Sequence, residues 1–190
     1  MDMFEYVMVM VSIIVGLAMA HLLQGLVEIS QRPRPMKLRS IHLVWSAYVL
    51  ITTAFWWWFQ FKLQALTPVW TFHAYLFVLF FAGLLYVQAA LLFPRNLGPD
   101  VDLDAFFYDH RGWFFGATAL YFLVDLADSW MKGSDHFASL GVEYVIVSCL
   151  QFALCFVAIW TRNKVFHWIF GLIALLSQIE WAFRQFGTVG

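Results

Sequence analysis

The chain has 190 residues, of which 63% are apolar, 20% aromatic and 12% charged, with a net charge of −1. Soluble domains run at about 45–50% apolar and about 25% charged, so a disordered chain, a fibre and an ordinary soluble enzyme domain are excluded. No basic excess exists to hold nucleic acid.

Six stretches carry the roughly 20 apolar residues that a membrane-spanning helix needs. In chain order they cover residues 4–27, 41–61, 69–93, 112–131, 137–160 and 165–186. They do not alternate apolar and polar as barrel strands do, so helices are expected throughout. The start, Met1-Asp2-Met3-Phe4-Glu5, is acidic rather than cationic. The first stretch is therefore expected to be a retained spanning helix and not a secretory signal. The fold class is all-α: one domain over residues 1–190, a six-helix transmembrane bundle with short loops.

Lysine and arginine set the expected orientation. Arg32, Arg34, Lys37, Arg39, Arg95, Arg111, Arg162 and Lys164 fall on one side, against Lys62, Lys132 and Arg184 on the other. The positive-inside rule assigns the richer side to the cytoplasm and both termini to the outside. Trp56, Trp57 and Trp58 then stand near the outer end of the second helix, where an aromatic belt is expected. A plasma membrane, the bacterial inner membrane, is the expected location.

The longest loop holds Asp100, Asp102 and Asp104, like the start of a calcium loop. Ala105 and Arg111 stand where an EF-hand needs glycine and glutamate. Asp102 or Asp104 is expected instead to cap a short amphipathic helix through Phe106, Phe107 and Trp113. Cys149 and Cys155 lie six residues apart in one helical stretch and point to different faces, so they do not pair with each other.

Two layers of polar residues are expected inside the membrane. The outer layer is Asp125, Glu143 and Glu180, each about six residues from the outer end of its helix. Arg184 lies one turn from Glu180 and can pair with it. Asp125 and Glu143 are left without an obvious cation, with Asp128 and Lys132 continuing the Asp125 face. The inner layer is His21, Gln24 and Glu28, which share one face of helix one. His42, His110 and His167 open helices two, four and six at the same level. With His21 they are candidate ligands for a metal or haem. Ser12, Gly16 and Ala20, and again Gly112 and Gly116, form small-residue faces suited to close helix approach.

No P-loop, zinc-protease signature, voltage-sensor arginine repeat or mid-membrane lysine is present, so the reading leans away from an enzyme. The expected function is a channel or transporter for protons or small cations. Asp125, Glu143, Glu180 and Arg184 form its outer site, and His21, Gln24 and Glu28 its inner exit. Ser148, Gln151, Thr52 and Thr53 link them through water. So small a bundle is expected to work as a homo-oligomer in the lipid bilayer, with no cofactor. Two alternatives use other residues. A haem- or quinone-linked redox protein would use the four histidines. An accessory or sensor subunit would dock a cytoplasmic or membrane protein partner through the basic stretch 32–39 and the acidic stretch 100–109.

Overall fold

A computed structural model describes residues 3–31, 40–66, 71–94 and 101–186. Arg32, Arg34, Lys37, Arg39, Arg95 and Asp100 lie outside the described residues, and with them most of the expected docking stretch. All regular structure among the described residues is helical: α1 (Met3–Ser30), α2 (Ser40–Leu66), α3 (Phe72–Leu92), α4 (Leu103–Met131), α5 (Ser134–Ser139), α6 (Gly141–Trp160) and α7 (Lys164–Phe186).

The helix ends follow local chemistry. Thr71 caps α3 by accepting a hydrogen bond from the Ala74 amide at 3.2 Å. Asp102 caps α4, accepting from the amides of Asp104 at 2.9 Å and Ala105 at 3.3 Å. Such caps satisfy amides that have no partner inside the helix. The capping role expected here is therefore borne out, but the short separate helix is not: residues 103–131 run as one helix. The charges of Asp104, Asp109 and Arg111 had hidden its first turns from a hydropathy reading. The expected helix over 137–160 is instead broken. Gly133 at φ +110° and Gly141 at φ +80° bracket α5, and both lie in backbone regions that other residues rarely adopt.

Contacts order the bundle. α2 packs on α1, α3, α4 and α7, so it is the central helix. The outer helices follow one another around it in the sequence α1, α3, α4, α6, α7. The start of α2, the end of α3, the start of α4, the end of α6 and the start of α7 meet at one end, through His42, Leu92, Phe107, Ala158 and His167. Neighbouring long helices in the chain therefore alternate in direction.

Four helices are long and apolar enough to cross a membrane: Phe4–Ser30, Phe72–Leu92, Gly141–Trp160 and Lys164–Arg184. α2 and α4, expected as spans two and four, are not among them. Their polar residues lower their hydropathy, and these face inward: His42, Ser46, Thr52, Thr53 and Gln60 on α2, and Thr118, Asp128 and Ser129 on α4, are all buried. Outward positions on the apolar helices are the reverse. Val9, Ile13 and Leu17 on α1, Ile146 and Leu150 on α6, and Ile169, Ile173 and Leu176 on α7 are all exposed. Apolar outside and polar inside is the pattern that a lipid-facing surface requires.

The glycines that permit close packing are not the expected ones. A Cβ added at Gly16, Gly112 or Gly116 meets nothing within 4 Å. At Gly171 it lies 2.6 Å from Val44 Cγ1 and 3.2 Å from the Trp45 ring, and at Gly25 it lies 2.6 Å from the Phe93 ring. Gly171 thus sets the approach of α7 to α2. Gly171→Ala is expected to lower stability by about 1–3 kcal/mol through overpacking. Gly16→Ala is expected to be neutral, so thermal unfolding of the two variants in detergent checks the assignment.

Candidate functional site

At the other end from His42 and His167, residues of α2, α4, α5, α6 and α7 surround a cavity of about 350 Å³. Its polar lining includes Asp125, Asp128, Lys132, Glu143, Glu180 and Arg184. All four residues expected for the outer layer are therefore brought around one space. Trp56, Phe59, Tyr121, Phe122, Tyr144 and Trp181 supply aromatic walls. Ser148, Gln151 and Ser177 also line it.

The charged groups are paired unequally. Lys132 Nζ stands 2.5 Å from Asp128 Oδ2, and both side chains are less than a tenth exposed, at 8% and 7%. Arg184 donates to Glu143 at 2.8 Å and to Glu180 at 3.0 Å, so one guanidinium bridges two carboxylates. Glu143 therefore has the cation that its sequence context did not reveal. It also stands in the first turn of α6, because that helix restarts at Gly141. A carboxylate is favoured there by the amide dipoles. Its side chain is 75% exposed, so it marks the mouth of the cavity and not the level of Asp125.

Asp125 has no ion-pair partner among the described residues. Its Oδ2 accepts a hydrogen bond from the Tyr144 hydroxyl at 2.6 Å. The Ser129 hydroxyl lies 2.9 Å from the same Tyr144 oxygen. Tyrosine has one proton and gives it to the carboxylate, so Ser129 donates to tyrosine. The relay Ser129–Tyr144–Asp125 ties α6 to α4. Beside it, Gln151 donates to Ser177 Oγ at 2.7 Å, and Ser177 donates to the Ala174 carbonyl at 3.0 Å. The first of these bonds ties α6 to α7, and the second lies within α7.

Tyr144 and Trp181 are the important residues that the sequence reading missed. Trp181 stacks on Tyr144 at 6.0 Å and meets Phe59 edge-on at 4.8 Å. A signal existed: Tyr144, Ser148 and Gln151 recur at i, i+4 and i+7, as do Ser177, Trp181 and Arg184. Each set marks one face of its helix.

In the inner layer, Gln24 donates to Glu28 at 2.9 Å on the surface of α1. The His21 ring meets the edge of Phe93 at 6.4 Å. The other three candidate histidines are tied to backbone carbonyls. His42 Nε2 is bonded to the Leu92 carbonyl, His110 Nδ1 to that of Phe106 at 2.9 Å, and His167 to those of Asn163 at 2.8 Å and Ala158 at 3.1 Å. Arg111 adds the Ile159 carbonyl at 3.0 Å. These are helix-end or same-helix carbonyls, and the ones at Leu92, Ala158 and Ile159 have no partner in their own helix. Among the described residues no three His, Cys, Asp or Glu side chains converge on a point where a metal ion could sit. Cys149 is exposed, Cys155 is buried, and both are free.

An aromatic layer separates the two ends. Trp45 meets Phe115 at 5.0 Å, Phe170 at 5.2 Å, Phe114 at 5.4 Å and Tyr48 at 5.5 Å, all edge-on. Thr53, expected to carry water past this level, is buried with its hydroxyl unpartnered among the described residues.

No family model, curated protein or solved structure matches this chain.

The Lys132–Asp128 pair carries a stability prediction. Lys132→Met leaves a buried carboxylate unpaired and is expected to cost about 3–5 kcal/mol, whereas Lys132→Met with Asp128→Leu restores most of the loss. A double-mutant cycle on thermal unfolding measures both.

Proposed function

We propose that the chain is a multi-pass plasma-membrane protein, of the bacterial inner membrane type, that admits a proton or small cation to Asp125 from the outside. In this reading all six long helices cross the bilayer, with both termini outside. The four apolar helices shield α2 and α4, which cross in contact with protein.

One observation carries the reading: among the described residues, Asp125 is the cavity carboxylate without an ion pair of its own. A charge at the bilayer centre costs about 2.5–3.5 kcal/mol on insertion scales and less towards the helix ends, so even at the depth of Asp125 an unpaired carboxylate is stabilised by holding a proton or drawing in a cation. Arg184, Glu143 and Glu180 ring the entrance, and the excess of carboxylates over cations there raises the local cation concentration.

The aromatic layer around Trp45 favours a carrier over an open pore. A carrier binds at a closed-ended site and then exposes it to the other side. The His21, Gln24 and Glu28 face is the proposed exit on the cytoplasmic side. The cavity lies within one chain, so a homo-oligomer is proposed for stability in the bilayer and not to complete the site.

Asp125→Asn keeps an acceptor for Tyr144 and removes the charge. In proteoliposomes it is expected to slow proton or cation uptake about tenfold or more, the scale of losing a charged hydrogen-bonding group. Glu143→Gln is expected to have a smaller effect that shrinks further at high salt, because Glu143 acts from the mouth. Wild-type flux in both variants would assign the carboxylates to structure alone.

A further inference from the structure

The size and walls of the cavity say more than its charge. A proton needs no cavity, and a bare metal ion needs several converging oxygen ligands at about 2.0–2.6 Å. The described residues offer no such group of three. Asp128 is held by Lys132, and Glu143 and Glu180 by Arg184. One carboxylate, Asp125, is left to face about 350 Å³ of space. That volume falls within the range of small-molecule sites, about 300–1,000 Å³.

The walls next to that carboxylate are aromatic. Tyr144 bonds it directly, Tyr121 stands one turn before it, and Trp181 packs on Tyr144. Trp56, Phe59 and Phe122 are further aromatic rings of the lining. Aromatic faces present negative charge density, and an organic ammonium ion is attracted to them within about 6 Å of a ring centroid. Such an ion has a weakly hydrated apolar body, so it loses little on leaving water. A hydrated sodium or potassium ion would lose its water shell and gain one carboxylate. The polar group of Ser148, Gln151 and Ser177 lies along the same cavity and gives a ligand both donors and acceptors to meet.

We infer that the cavity is a binding site for a small organic ammonium ion, with Asp125 as its counter-charge and Tyr144, Tyr121 and Trp181 as its aromatic enclosure. This names the substrate class for the cation-uptake reading and rests on it for the direction of entry, though not for binding itself.

The test is calorimetric titration of the detergent-purified full chain with tetramethylammonium chloride, at ionic strength held constant with sodium chloride. tert-Butanol, a neutral molecule of nearly the same shape, is titrated in parallel. Saturable binding of tetramethylammonium and none of tert-butanol is expected. Asp125→Asn is expected to weaken binding at least tenfold, and Trp181→Leu about threefold or more. Trp181→Phe keeps an aromatic face and is expected to retain most of the affinity. Thermal unfolding without ligand confirms that each variant is folded before it is titrated, and the Trp181 pair decides the matter if Asp125→Asn fails to fold. Absence of saturable tetramethylammonium binding to the wild-type chain overturns the inference. Equal binding of tert-butanol, or wild-type affinity in folded Asp125→Asn, overturns it as well. The two readings fail separately. Asp125-dependent proton flux without tetramethylammonium binding overturns the ligand class and leaves uptake standing. Binding without any flux supports the site and removes the carrier.

Discussion

Trp45 stands where α2, α4 and α7 come together. Its ring is met edge-on by Phe114 and Phe115 from α4 and by Phe170 from α7. Edge-on aromatic pairs add about 0.5–1.5 kcal/mol each beyond the area they bury. Gly171 makes the arrangement possible, because any side chain there would strike Val44 and Trp45. The cavity lies beyond this level, between α2, α4, α6 and α7, and the rings around Trp45 are not part of its lining.

Around this centre the helices divide the work of satisfying two solvents. α1, α3, α6 and α7 are apolar enough to meet lipid unaided. α2 and α4 carry the polar groups and are largely covered by the others. Backbone polarity in lipid must be satisfied inside each helix, and side-chain polarity between helices. The histidine end meets the same demand, with Arg111 and His167 covering carbonyls left over where α6 stops. There, residues that can do chemistry are used to hold a helix end together. The partial exception lies at the opposite end, where Asp125 has a hydrogen-bond donor and, among the described residues, no ion pair.

Much of the fold was legible because hydropathy is a long-range signal in a bilayer. Six long apolar stretches correspond to the six long helices, with ends mostly within a few residues. The failures are local. Charges at 104, 109 and 111 disguised the start of α4, since they lie along its outer turns and not in its span. The break before α6 depends on one positive φ at Gly141, which composition does not announce. Within one chain a glycine helps packing only where another segment approaches, and spacing alone does not say where: Gly16, Gly112 and Gly116 have open space beside them, whereas Gly25 and Gly171 do not. In the site, the four charged residues were found from depth, but their pairing was not. Arg184 reaches Glu143 across 41 residues of sequence, which no i, i+4 rule can show. The histidines looked like ligands because they share a level. They share it because that is where helices end and carbonyls need donors.

If the chain crosses a bilayer as proposed, the packed rings around Trp45 also bear on voltage. In a membrane, a solvated cavity carries the electrical potential of its own side inward as far as water reaches, here to Asp125. The remaining potential then falls across the dry aromatic layer around Trp45, a short distance of low dielectric. A charge resting at Asp125 feels little of the transmembrane field. A charge passing from Asp125 to the histidine end crosses nearly all of it, about 2.3 kcal/mol per elementary charge for each 100 mV. On that reading, arrival at the site would be nearly voltage-independent, and any electrogenic step would belong to the layer of rings between the two ends.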